Sequence, residues 1–172
     1  VDPGLFLWSR DEGTRFLNLF PEPSTFNSAL IINARVNNRG DTLAGYQVET
    51  TDLHIENRTV FRNTDGEVFE IERNGEPVGS NSRLLNDGTV AITAPSTLTV
   101  EGELDEYGYT YLWNPDSGFT ELPLFDGLPA TLTAHNDTQL LVTTREYVSL
   151  ESRRDFLFDM STGETTELSG LI

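Results

Sequence analysis

The chain has 172 residues, with 28 acids against 11 bases, a net charge of −17 and no cysteine. This balance argues against nucleic-acid binding through phosphates and repels the chain from anionic membrane surfaces, and the missing cysteines exclude disulfides and thiolate metal sites. The length suits one domain with a sizeable core, and no run of about 18 apolar residues offers a membrane-spanning helix, so no membrane insertion is expected.

The opening stretch, VDPGLFLWSR, has neither the basic region nor the cleavage site of a secretory signal peptide, as would be true of a mature secreted chain. The first element is a hairpin. Phe6–Leu17 reads FLWSRDEGTRFL: an apolar-aromatic strand, a polar turn ending in Gly, and a second short strand. The pattern returns at Val60–Ile71 (VFRNTDGEVFEI), Tyr111–Leu122 (YLWNPDSGFTEL) and Phe156–Leu168 (FLFDMSTGETTEL). Between these copies runs a second hairpin type with an Asn-containing turn: Ala34–Gly45 (ARVNNRGDTLAG), Arg83–Thr93 (RLLNDGTVAIT) and Thr133–Thr143 (TAHNDTQLLVT). Asn and Gly tolerate the positive φ that tight hairpin turns demand. Thr, Val, Phe and Tyr fall in short runs broken by Gly, Asn, Asp or Pro, so helix is expected only in connecting turns.

The spacing sets the unit. Trp8, Arg62, Trp113 and Phe158 lie 54, 51 and 45 residues apart. A period of roughly 40–50 residues with four strands is the size of a propeller blade. The sequence thus predicts an all-β, propeller-like repeat of four-stranded antiparallel blades, about three and a half in this chain. It parses as an outer hairpin at 4–20 and blades at about 28–72, 80–123 and 129–169. Asn-turn hairpins supply the inner strands and aromatic hairpins the outer ones. On this count the Phe6–Leu17 hairpin lacks inner-strand partners. They would come from a further inner hairpin beyond one terminus, or a second copy would cover that edge by self-association. An open, twisted stack of hairpins is the third option.

The register predicts burial of Ile92, Leu141 and Val142, with Leu140-Leu141-Val142 buried on both faces. It also buries one or both members of the i, i+2 pairs Phe6/Trp8, Tyr111/Trp113 and Phe156/Phe158, which share a strand face. The alternative for Trp8 or Trp113 is an exposed stacking platform for sugar rings. Glu101–Gly108 and Tyr147–Arg154 connect hairpins as loops, so Tyr107, Tyr109 and Tyr147 are the candidate ligand contacts.

No residue set forms a catalytic constellation: there is no G-x-S-x-G elbow, His135 falls in a repeat turn, and His54 lies in an exposed connection. The acidic turns are the metal candidates, with Asp65 and Glu67 on one, Asp116 on another, and Asp155, Asp159 and Glu164 flanking a third. Calcium is the cation such oxygens would take, yet no turn has the D-x-D-x-D-G pattern, and Asp and Asn favour these turns for backbone reasons alone. No other cofactor is expected. Of two N-x-T matches, Asn57-Arg58-Thr59 and Asn136-Asp137-Thr138, the second is discounted as part of the repeat.

The stretches Val36–Gly45 (VNNRGDTLAG), Phe6–Ser9 (FLWS) and Tyr111–Leu122 resemble the repeat of the bacterial HAF-type extracellular repeat proteins. Arg62 departs from that pattern at the Trp position, and the Asn136 turn lacks its Gly. The resemblance implies a secreted or surface propeller-like protein and no catalytic residues. The expected function is a non-catalytic extracellular binding or structural module with a protein or carbohydrate partner. A self-assembling surface or fibre subunit is one alternative. A propeller-class enzyme acting on polysaccharide through loop carboxylates is the other.

Overall fold

A computed structural model of the chain describes residues 5–10, 13–17, 28–49, 54–78, 82–94, 99–100, 103–104, 109–144 and 153–168. Among them the protein is all-β, with no helix, in antiparallel sheets of two to four strands. No helix among the described residues is long and apolar enough to cross a membrane.

The first hairpin, β1 (Leu5–Ser9) and β2 (Gly13–Leu17), forms a two-stranded sheet with Leu5 opposite Leu17 and Phe6 opposite Phe16. A four-stranded meander follows: β3 (Ser28–Val36), β4 (Thr42–Glu49), β5 (Ile55–Arg62) and β6 (Val68–Glu70), in that order. A small hairpin comes next, β7 (Glu72–Arg73) and β8 (Glu76–Pro77). Its turn is Asn74-Gly75, and both residues take the positive φ that an Asn-Gly hairpin turn requires. The second meander joins β9 (Ser82–Leu84) and β10 (Val90–Ala94) to β13 (Tyr109–Asn114) and β14 (Gly118–Glu121). Between its halves lies the short pair β11 (Thr99–Val100) and β12 (Glu103–Leu104). Part of the stretch expected to be a loop, Glu101–Gly108, is therefore strand. The third meander is β15 (Ala130–His135), β16 (Gln139–Thr144), β17 (Arg154–Asp159) and β18 (Thr165–Glu167).

Each meander is an Asn-turn hairpin followed by an aromatic one, and the turns explain the repeated Asn and Asp. Asn37 Oδ1 accepts from the backbone N–H groups of Arg39 and Asp41. Asn63 Oδ1 accepts from Glu67 N, and Asn114 Oδ1 from Asp116 N. Asp159 Oδ1 accepts from Ser161 N, Ser161 Oγ and Thr162 N. These side chains satisfy amides that the turn removes from the ladder. The Asn136 turn lacks Gly because it is shorter. Asn136 N donates to Gln139 O three residues on, whereas Asn37 N and Asn63 N reach four residues on.

The chain divides into two compact units, Val1–Leu84 and Leu85–Ile172. In the first, Leu17 of the hairpin packs with Ala44, Tyr46, Val48 and Val60, flanked by Leu5, Ala29 and Ile31. In the second, Leu85, Ala91, Leu140 and Val142 pack with Phe125, Phe156 and Phe158. The Phe125 ring lies 5.4 Å from Phe156 and 5.9 Å from Phe158, the latter edge to face, a favourable aromatic geometry.

Ile92 and Val142 are buried as the register requires, and so are both members of the pairs Tyr111/Trp113 and Phe156/Phe158. Leu141 is not. Strand β16 alternates strictly, with Leu140, Val142 and Thr144 inward and Leu141 half-buried opposite Leu157. The run of three apolar residues is thus one buried face plus an outward leucine. Phe6 is also exposed, while the Trp8 side chain lies outside the described residues.

Asp159 gives a pH prediction. Its carboxyl lies below the ordinary value of 3.8 because it accepts from the Ser161 hydroxyl and from the Ser161 and Thr162 amides. A folded-state value below the unfolded one contributes stability above the unfolded value, lost as pH falls through the folded one. Asp159→Asn, which keeps an acceptor oxygen and cannot titrate, is expected to flatten the loss of stability below pH 3.8. Denaturant midpoints across that acidic range check it; identical pH profiles would contradict it.

Candidate functional site

Three groupings of side chains stand out, and each is set by strand register. The first is a charged cluster in the first unit. Strands β4 and β5 place Tyr46 opposite Arg58, and period-2 alternation puts Glu56 beside Arg58 on the same face. Arg58 donates through Nη2 to Glu56 Oε2 and through Nη1 to Glu70 Oε1, each at 2.7 Å. Tyr46 is fully buried. Burial, reinforced by the Glu70 carboxylate, raises its hydroxyl well above the usual tyrosine range. Burial disfavours the Arg58 charge, but the hydrogen bonds it donates to Glu56 and Glu70 outweigh it, and the net shift is upward. Tyr46 is therefore neutral and Arg58 permanently charged. The cluster locks β4, β5 and β6 together.

The second grouping joins turns. Asp41, at the end of the β3–β4 turn, is buried; its carboxylate accepts from Asn37 Nδ2 at 2.9 Å and from Thr64 N at 3.1 Å, and Arg39 Nε lies 3.5 Å away. The β3–β4 turn is thereby tied to the β5–β6 turn. The second unit has a counterpart, in which Asn86 Nδ2 donates to Asp137 Oδ1 and ties the β9–β10 turn to the β15–β16 turn.

The third is apolar and exposed. Phe6 and Phe16 face each other across the β1–β2 hairpin, their rings edge to face with centroids 5.3 Å apart. They are 72% and 55% exposed, while Leu5 and Leu17 occupy the opposite, inward face.

The candidate residues from the sequence distribute as follows. Asp65 and Glu67 are exposed on the β5–β6 turn, where Glu67 accepts from Asn63 Nδ2 at 2.7 Å. Asp116 is exposed on the β13–β14 turn. Among the described residues no three His, Asp or Glu side chains converge to hold a metal ion. Tyr109 opens β13, paired with Ala94. Tyr107 and Tyr147 lie outside the described residues. His54 is exposed before β5, and His135 closes β15 rather than entering its turn. Trp113 is buried, which removes it as a sugar platform. Asn136, Asp137 and Thr138 are all exposed, whereas Thr59 of the other N-x-T match is buried. The Arg58 cluster was not anticipated. The spacing Glu56-x-Arg58 was its one local signal, and Tyr46 and Glu70 join it only through pairing. No protein-family model matches the chain, nor does any curated protein sequence.

Proposed function

We propose that this chain is a propeller-type repeat module that acts outside the cell as a non-catalytic binding or structural domain. The repeat supports the architectural part: three four-stranded meanders, each an Asn-turn hairpin followed by an aromatic hairpin, have the strand count and order of propeller blades. Extracellular placement rests on the likeness of VNNRGDTLAG and FLWS to the HAF-type repeat.

One observation carries the binding part. The β1–β2 hairpin presents two adjacent, largely exposed aromatic rings on a two-stranded sheet that has no third strand among the described residues. Exposed aromatic pairs with a rigid backbone are the usual anchors of protein and carbohydrate contacts. Replacing Phe6 and Phe16 together with serine is expected to abolish binding to a polysaccharide or protein ligand found by panel screening. The far-ultraviolet spectrum should not change, because neither ring belongs to the core. Calorimetric titration measures the loss; a double variant that binds as tightly as the parent would overturn this assignment.

A further inference from the structure

Asn74 is the one Asn in the chain that Gly follows. The pair forms the tip of the β7–β8 hairpin, where both residues are exposed and take positive φ, 57° and 81°. Gly75 has open space around it: a Cβ built there would meet nothing within 4 Å. The other turn amides lack this combination. The carboxamides of Asn37, Asn63 and Asn136 are held by hydrogen bonds within their turns, and a residue with a side chain follows each. Asn114 precedes Pro115, which has no N–H. Asp126-Gly127 repeats the positive-φ pair, but its side chain is a carboxylate already engaged by Arg154.

We infer that Asn74 is a site of spontaneous deamidation in which the backbone amide of Gly75 is the nucleophile. Gly75 N gives its proton to water and bonds to Asn74 Cγ. The Cγ–Nδ2 bond breaks, the nitrogen leaves as ammonia, and a succinimide ring closes. Water then opens the ring at Cγ, giving aspartate, or at the main-chain carbonyl, giving isoaspartate with the chain running through Cβ and Cγ. In sum a water enters, an ammonia leaves and nothing is oxidised. Closure requires Asn74 Cβ and Gly75 N to eclipse about the Cα–C bond, at a ψ of about −120°, which is the value at the first central residue of a type II′ turn. Types I′ and II′ are the two favoured two-residue hairpin turns, and both keep φ positive at that residue. Turning over the peptide plane between Asn74 and Gly75 interconverts them, and Gly75 can carry its φ from positive to negative as this demands. The reactive geometry is thus reached with the ladder beneath it intact. That ladder is anchored on buried residues, since Val78 N donates to Ile71 O and Ile71 N to Thr59 O. The change therefore stays local: a new negative charge between Glu72 and Glu76, and in the isoaspartyl form a lengthened two-residue turn. It does not depend on the binding reading above.

The whole chain, folded in mildly alkaline buffer, is expected to release ammonia and to accumulate isoaspartate at position 74. Peptide mapping with fragment-ion sequencing should find this at least roughly tenfold faster than change at Asn37, Asn63 or Asn136, whose carboxamides must first leave their hydrogen bonds. The β signature should persist in the product. Asn74→Gly keeps a Gly-Gly sequence suited to the same turn and removes the electrophile, so it is expected to abolish the fast phase of ammonia release with the fold retained. Equal rates at the four asparagines would overturn the inference. So would aspartate formed without isoaspartate, modification confined to the urea-unfolded chain, or a fast phase that survives in Asn74→Gly.

Discussion

Leu140→Ala is expected to destabilise the second unit by about 2–5 kcal/mol, whereas Leu141→Ala one residue away should cost about 1 kcal/mol or less. Leu140 is fully buried and packs within the Phe125, Phe156 and Phe158 cluster. Removing its isobutyl group withdraws transfer energy and leaves a cavity that three interlocked rings cannot readily fill. Leu141 points to the other face, half-buried beside Leu157, and its truncation opens onto solvent. Urea denaturation of both variants measures the contrast. Equal losses would mean that β16 is covered on both faces and that its alternation has been misassigned.

That contrast marks where the sequence stops being informative. The strands were legible because Val, Thr, Phe and Tyr runs end at Asn, Asp and Gly, and the turns that these residues build are the ones found. The paired repeats were legible because the residues that fix a turn recur beside the aromatic strand: Asn63, Asn114 and Asp159 each directly follow the position held by Arg62, Trp113 and Phe158, with a Gly three or four residues further on. Which face of a strand is covered was not legible for LLV. A continuous apolar run fits burial on two faces or on one, and only the neighbouring elements decide. In β4, the strand that corresponds to β16 in the first meander, the answer differs, since Leu43 and Ala44 are both buried. Arg62 stands where β13 has Trp113. It is half-buried, with its guanidinium 3.5 Å from Asn63 O, so the aromatic position is not obligatory once Phe61 fills the core from the adjacent position. The Arg58 cluster was hidden for a different reason. Glu56 and Arg58 are neighbours in sequence, but Tyr46 and Glu70 are each 12 residues from Arg58 and meet it only through the β4–β5–β6 register. The sequence offers Phe6 as core, alone or with Trp8, because its counterparts Tyr111 and Phe156 are core. In those sheets an Asn-turn hairpin continues the ladder, and at β1–β2 none does among the described residues.

Arg58→Met is expected to be among the most damaging single changes in the first unit, at about 2–4 kcal/mol. Methionine keeps the length and apolar stem of the side chain, so the loss reports charge and hydrogen bonding more than packing. Arg58 is 18% exposed and Glu70 16%, while Glu56, at 31%, retains some water. Without the guanidinium, Glu56 and Glu70 lose the cation they share, Glu70 beside the buried Tyr46, and leaving charge stranded at a partly dry site is the costly half of breaking an ion pair. Arg58→Lys should fall between the two, because a single ammonium cannot reproduce the fork that engages both glutamates. Adding Glu70→Gln to Arg58→Met should recover part of the loss, whereas Glu70→Gln alone should destabilise the parent. Thermal or urea denaturation of the four proteins measures the cycle. Strictly additive losses from Arg58→Met and Glu70→Gln would show that Arg58 acts through its packing and not through its charge.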